Sequence, residues 1–417
     1  MPSILLVTAM WPPSRLIGGK RALRMARGLH ARGWQVTVAT LQPPYMQPLD
    51  PQEKPPPEIE FIATHALMPR AWLPVKHPQP QTQNQNQQAQ PKTQTLRSRA
   101  GKLLRALEFP DEYAGWLPLM VPRLVGRKFD VVLATLPPPT AAVIAATVAK
   151  LGRAKLVLDY RDPWTEILSA DEKNSALDRQ VSARLLKRHQ TLETRILQQA
   201  SLVLGVTPQI CAWLQPRTSA PVEFLPNGLE QLPPPAVMRD VPLRLVYGGS
   251  LAYQRSLDGL LAAIHALRET YAPARLRLQY AGPHGAQLRA AAQQIGVEAW
   301  LDDLGSLPQR EVLKLYHGAA AGIVAVSAPT AYSYPGKLFE ILAAGCPIWL
   351  CGPQQCEAAK LVRQLHAGQV DDGEDLHAMT AKLRAFLLAE PQPAKGLETW
   401  LGEVQMAKLD RKLRAIL

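Results

Sequence analysis

Lys337 and Glu340 stand three residues apart in the stretch "SYPGKLFEILAAGCPIWL", Ser333 to Leu350. Pro335 suits the first position of a helix there, and Gly345 followed by Pro347 ends it. Lys337 then falls in the first helical turn. The backbone dipole already presents positive charge at that end, so a cation is unfavourable unless an anion binds. Glu340 lies on the same side of the helix at i+3. A second cation, Arg255, falls near another predicted helix start within "VYGGSLAYQRSLDGLL" (246–261), behind the loop residues Gly249 and Ser250. Two cations at two helix starts, with backbone N–H groups, can converge on an anion such as a diphosphate. An exposed Arg255 without a ligand is the competing reading.

The segment "LVLDYRDPWTE" (156–166) ends a buried strand with Asp159, Arg161 and Asp162. Charges at the mouth of such a strand are costly unless paired or used. Either an Asp–Arg pair holds the segment together, or Asp162 reaches a sugar hydroxyl or a departing proton. Gly18 and Gly19 open the first helix and permit close backbone approach to a ligand; a tight loop that needs glycine explains them equally well.

These residues sit at the ends of alternating elements. Strands are predicted at 4–8, 34–40, 129–135, 154–160 and 201–207, with helices near 19–32, 139–151 and 172–200 between them. After the Pro-rich break at 225–242 the alternation resumes: strands at 243–249, 275–282, 321–326 and 347–352, with helices at 254–269 and 284–295. This is the βαβ pattern of parallel sheets covered on both faces. The chain therefore reads as α/β, two doubly wound Rossmann-like domains. The first spans 1–235 and carries a disordered Gln/Pro-rich insertion at 68–96. The second spans 236–395. Residues 396–417 read as a terminal amphipathic helix packing back toward the first domain.

Composition narrows the partners. The formal net charge is +13 over 417 residues. Residues 1–240 hold 29 basic and 18 acidic side chains, against 18 and 16 in 241–417. A basic first half suits an anionic membrane surface or an acidic substrate. Nucleic acid is disfavoured, because the basic residues spread over several helices without stacking aromatics. Four cysteines without zinc-ligand spacing suit reduced thiols in the cytoplasm. Neither a signal peptide nor a spanning helix is read in the sequence, so a cytoplasmic protein is expected, either soluble or peripheral at the inner face of the cytoplasmic membrane. The dinucleotide fingerprint G-x-G-x-x-G, the P-loop and G-x-S-x-G are missing, which argues against dinucleotide oxidoreductases, P-loop ATPases and α/β-hydrolases.

Eight segments in register resemble a bacterial glycosyltransferase of the two-Rossmann-domain (GT-B) architecture, in the family-4-like retaining group. They are "LLVTAMWPPSRLIGG", "FPDEYAGW" (109–116), "DVVLATLPPPT" (130–140), "LDYRDPWTE", "LPNGLE" (225–230), the 246–261 stretch, "LGSLPQREVLKLYHGAAAGIVA" (304–325) and "YPGKLFEILAAGCPI" (334–348). The resemblance implies two domains facing a cleft, a nucleoside-diphosphate sugar donor and a glycan or lipid-linked acceptor. It implies neither cofactor nor metal. It implies that Gly18 and Gly19 face the leaving phosphate, that Arg255 and Lys337 hold the diphosphate, and that Glu340 binds the ribose hydroxyls. Backbone groups around Ser306 and Leu307 would contact the base, and Asp162, with Arg161, would lie near the transferred sugar. Family-4 enzymes often carry a glutamate where this chain has Tyr332, and an arginine where it has Ser250; both departures bear on donor choice. A nucleotide-sugar 2-epimerase of the same architecture and an inactive GT-B partner protein are the alternative readings.

Overall fold

The computed structural model describes residues 1–14, 17–43, 49, 53–67, 108–173, 182–234, 239–252 and 254–417, without the side chains of 17 and 170–173. The insertion expected at 68–96 lies outside the described residues. The chain forms two compact units. Unit 1 comprises 1–205, 213–223 and 410–417; unit 2 comprises 206–212 and 224–409.

Unit 1 is built on β1 (Ser3–Val7), α1 (Ile17–His30), β2 (Gln35–Leu41), β3 (Glu60–Thr64), α2 (Leu117–Leu124), β4 (Val131–Leu136), α3 (Pro139–Gly152) and β5 (Lys155–Tyr160). It continues through α4 (Trp164–Lys173), α5 (Ala183–Leu197), β6 (Ala200–Gly205) and β7 (Val222–Phe224); α6 (Pro208–Leu214), between β6 and β7 in sequence, belongs to unit 2 over 208–212. The sheet order is β3-β2-β1-β4-β5-β6-β7. The pairings from β3 to β6 are parallel, with Leu5 opposite Val132 and Leu133 opposite Val157. β4 is buried along its whole length, as expected where helices cover both faces.

Unit 2 repeats the plan with β8 (Leu243–Gly248), α7 (Asp258–Ala266), β9 (Leu276–Ala281), α8 (Gly285–Ile295), β10 (Leu301–Asp303), α9 (Gln309–Tyr316) and β11 (Ala321–Ala325). Then follow α10 (Gly336–Ala343), β12 (Ile348–Cys351), α11 (Glu357–Gln364), β13 (Gly368–Asp371), α12 (Leu376–Leu388) and α13 (Gly402–Ala415), of which the residues from 410 belong to unit 1. The order β10-β9-β8-β11-β12-β13 is parallel throughout. Two apolar clusters make the core; Leu338 and Leu342 of α10 lie in one, Leu261 of α7 and Trp349 of β12 in the other. In each sheet the strand order reverses beside the first strand, between β1 and β4 and between β8 and β11. Ligands of open α/β sheets bind at such switch points.

Two expectations change. Of the helix expected at 172–200, residues 172–173 end α4 and α5 starts at Ala183, where Ser182 caps it, its hydroxyl accepting from the Leu185 N–H at 3.3 Å; residues 174–181 lie outside the described ones. The helix expected from 254 begins at Asp258, because Gln254 has φ +59 and the Ser256 hydroxyl accepts from the Asp258 N–H. Arg255 therefore lies in the loop, three residues before α7.

Candidate active site

In unit 1 the ends of β1, β4 and β5 meet the start of α1. Thr8 closes the turn after β1, its hydroxyl donating to the Met10 carbonyl at 3.0 Å. Arg161 leaves β5 and donates from Nε to the Leu136 carbonyl at 3.2 Å and from Nη2 to the Pro137 carbonyl at 2.5 Å. It thereby fixes the proline-rich loop after β4. Gly18 admits this guanidinium, since a Cβ there would stand 2.2 Å from Arg161 Nη1 and 2.6 Å from Met10 Sδ. Burial lowers the Arg161 pKa, while the charges of Asp162 and Asp159 oppose that shift. Asp162 is half-buried.

Asp159 pairs with Arg21 of α1 rather than with Arg161. The contact is bidentate, at 2.8 Å to Nε and 2.6 Å to Nη2, and both side chains are buried. The helix start that carries Gly18 and Gly19 is thus held to the end of β5 by a desolvated ion pair. A Cβ at Gly19 would stand 3.5 Å from the Met10 backbone, an ordinary contact distance.

In unit 2 the loop after β8 is closed from below. The Tyr247 hydroxyl donates to the Ser250 carbonyl at 2.8 Å, and the Tyr280 hydroxyl donates to the Gly249 carbonyl at 3.1 Å. Ser250 spends its own hydroxyl inside the turn, accepting from the Ala252 N–H at 3.0 Å. Gly249 has φ +117, a conformation that side-chain-bearing residues rarely adopt. Lys337, in the first turn of α10, reaches this loop from the far side of the switch point. Its Nζ lies 3.4 Å from the Tyr247 ring centre and 3.5 Å from where a Gly249 Cβ would stand.

The Lys337 ammonium is buried and makes no hydrogen bond among the described residues. Burial pushes its pKa well below the ordinary lysine value; the Arg255 charge adds to that shift and Glu340 opposes it. Arg255 also bonds to the Tyr247 side chain. Glu340 accepts from the Gln309 carboxamide at the start of α9. Ser306 and Leu307 lie in the loop just before α9, Ser306 exposed and Leu307 half-buried.

Residues 18–228, 211 of the 417, match the family model described as a glycosyl transferase 4-like domain. The chain belongs to the glycosyl transferase 4-like family. Solved structures agree on the fold. Sucrose-phosphate synthase from Thermosynechococcus elongatus superposes with a TM-score of 0.67 at 15% identity, each chain covered fully. Trehalose 6-phosphate synthase from Burkholderia multivorans gives 0.62 at 12% identity, covering 100% of this chain and 97% of that one. HepE from Anabaena gives 0.56 at 14% identity, with 99% and 96% covered. No curated protein matches the sequence. The protein is a glycosyltransferase of the GT-B fold.

The glycosyltransferase brings Gly249, Arg255 and Lys337 together in unit 2, with Glu340 one turn further along α10. It brings Gly18 and Arg161 together in unit 1. Ser250 serves its own turn. Sequence reading missed Arg21, which is sandwiched in a helix rich in similar arginines, and Tyr247, which looked like an ordinary strand residue. Gln309 gave no signal beyond its place at a helix start.

Proposed function

We propose that this glycosyltransferase takes a sugar from a nucleoside-diphosphate sugar and transfers it, with retention, to a glycan or lipid-linked acceptor in polysaccharide or glycoconjugate biosynthesis. Lys337 carries the donor half of the reading. A buried cation without a partner is strongly unfavourable, and a diphosphate oxygen would reverse that balance. The start of α10, which carries Lys337, adds backbone N–H groups. HepE, one of the neighbours in fold, was solved with UDP-glucose.

In this reading Arg255 and Lys337 hold the diphosphate, Glu340 the ribose, and the backbone of Ser306 and Leu307 the base. Gly18 and Gly19 face the leaving phosphate, and Asp162 and Arg161 act at the transferred sugar. The bond between the sugar C1 and the phosphate oxygen breaks. The acceptor oxygen bonds to C1 on the same face, and its proton leaves with the nucleoside diphosphate. The cations and helix starts carry the leaving-group charge, so no metal is required and a chelator leaves turnover unchanged.

The basic first half of the sequence supports an acceptor at an anionic membrane surface. Among the described residues no helix is long and apolar enough to cross a membrane. Salt-sensitive sedimentation with anionic but not neutral liposomes tests this contact. A thermal-shift screen of nucleotide sugars tests the donor: a nucleotide that stabilises the wild type and not Lys337→Ala supports the reading. Equal shifts in both proteins remove the site assignment.

A further inference from the structure

A concavity in unit 2, of about 560 Å³, is formed by residues with no part in the Lys337 cluster. That volume falls within the range of about 300–1,000 Å³ common for small-molecule sites. It opens at the C-terminal ends of β11, β12 and β13, where Val326, Cys351 and Asp371 line it. This is the ligand-binding edge of such a sheet. Its other wall is the loop before α7, where Gln254 and Ser256 flank Arg255.

We infer that this concavity binds a neutral, hydroxyl-rich ring, a glycosyl unit, at a subsite distinct from the diphosphate-binding residues. Charge excludes a phosphate. Among the described residues that line the concavity there is no lysine or arginine, while Asp371, Asp372 and Glu374 are acidic. Lys382 neutralises Asp371 at 2.8 Å, but Asp372 and Glu374 stay exposed. Among the described residues, no group of three His, Cys, Asp or Glu side chains is placed to hold a metal ion. What remains is a mixture that suits hydroxyl groups. The carboxamides of Gln254 and Gln355 both donate and accept, and the carboxylates accept, while the Gln354 carboxamide is held by Arg363 and Asp372. Leu260, Val326 and Met379 supply apolar surface for the C–H face of a ring. The Cys351 thiol adds no reactivity, since burial pushes its pKa up to about 12. Gln254 is held at φ +59, a conformation uncommon for a residue with a side chain, and such outliers gather at ligand sites.

The ring has two sources: the sugar of a bound nucleotide donor, or a separate saccharide. The test uses the full chain and a double variant, Gln355→Ala with Glu374→Ala, both at exposed positions. Calorimetry compares UDP-glucose, UDP-N-acetylglucosamine and GDP-mannose with UDP and GDP. Saturation-transfer NMR tests methyl glycosides of glucose, galactose and mannose. If the ring belongs to the donor, the double variant weakens a nucleotide sugar at least fivefold and leaves its diphosphate unchanged. If it is a separate saccharide, a methyl glycoside gives a signal that UDP does not displace and the double variant loses. Unchanged binding of every probe in the double variant, or no glycoside signal together with equal affinities for sugar and diphosphate forms, overturns the inference. Lys337→Ala separates it from the donor reading, because that change removes diphosphate binding and leaves the glycoside signal intact.

Discussion

Lys337 holds its ammonium nitrogen 3.4 Å from the centre of the Tyr247 ring, buried and with no hydrogen bond among the described residues. The ring face attracts the charge by roughly 0.5–2 kcal/mol. Desolvation outweighs this, since the lysine pKa is pushed well below its usual value. In the ligand-free fold Lys337 is therefore a destabilising residue, retained at a switch point beside a left-handed glycine.

Lys337→Met keeps the length of the side chain and removes its charge. The ligand-free fold should become more stable by about 1 kcal/mol or more, because a buried unpaired polar group is replaced by an apolar one. Turnover should fall about 100-fold, the scale of losing one preorganised charge at a leaving group. Thermal unfolding and steady-state kinetics read the two effects. A variant that is less stable and equally active contradicts both.

Proton linkage follows from the same residue. Between the lowered folded pKa and the usual 10.5, the unfolded chain binds a proton that the ligand-free fold does not. Stability therefore rises with pH through that window. A bound diphosphate raises the Lys337 pKa, so binding takes up a proton there and weakens as pH rises. Calorimetry in two buffers of different ionisation enthalpy measures the uptake. Lys337→Met should abolish it.

Much of this was legible in the sequence because period and punctuation agree. β11 is a continuous apolar run, β4, β5 and β8 are broken only by Thr135, by Lys155 and Asp159, and by Arg244, and Pro335 and Gly345 bracket α10. The short strands β3, β7, β10 and β13 carry three to five residues each and too little pattern to declare themselves. At the site, glycines and charges at strand ends were visible, but their partners were not. Asp159 meets Arg21 across 138 positions of sequence, and spacing along the chain cannot report that. Gln309 and Glu340 likewise meet through the fold, 31 residues apart.

Gly18→Ala probes the start of α1. The new Cβ would stand 2.2 Å from Arg161 Nη1, so the guanidinium must leave the Leu136 and Pro137 carbonyls. Overpacking of this kind costs about 1–3 kcal/mol. Urea unfolding should show that loss, and activity should drop with it. Pairing the change with Arg161→Ala, which vacates the space, should recover part of the stability; full additivity would mean the two residues do not compete.

Arg217 and Glu193 hold the helix that follows Asp162. Glu193 is fully buried, and its Oε2 accepts from the Thr165 hydroxyl at 2.5 Å and from Arg217 Nη2 at 2.8 Å. Arg217 Nη1 reaches Glu166 Oε1 at 2.5 Å. Thr165 and Glu166 stand in the first turn of α4, three and four residues after Asp162. Arg217→Ala leaves the Glu193 carboxylate buried without its cation, a change that costs about 3–5 kcal/mol. Glu193→Gln is milder, because a carboxamide oxygen still accepts from Thr165 and Arg217. Burial pushes the Glu193 pKa up, and the Arg217 charge only partly offsets it. Above its unfolded value the folded chain holds a proton that the unfolded chain releases, so stability falls as pH rises through that window. Glu193→Gln should flatten the pH dependence of the urea midpoint there. An unchanged profile would place the titration on another group. Because the clamp acts on the turn that carries Asp162, Arg217→Lys should lower turnover more than substrate affinity, at a temperature where the fold is intact.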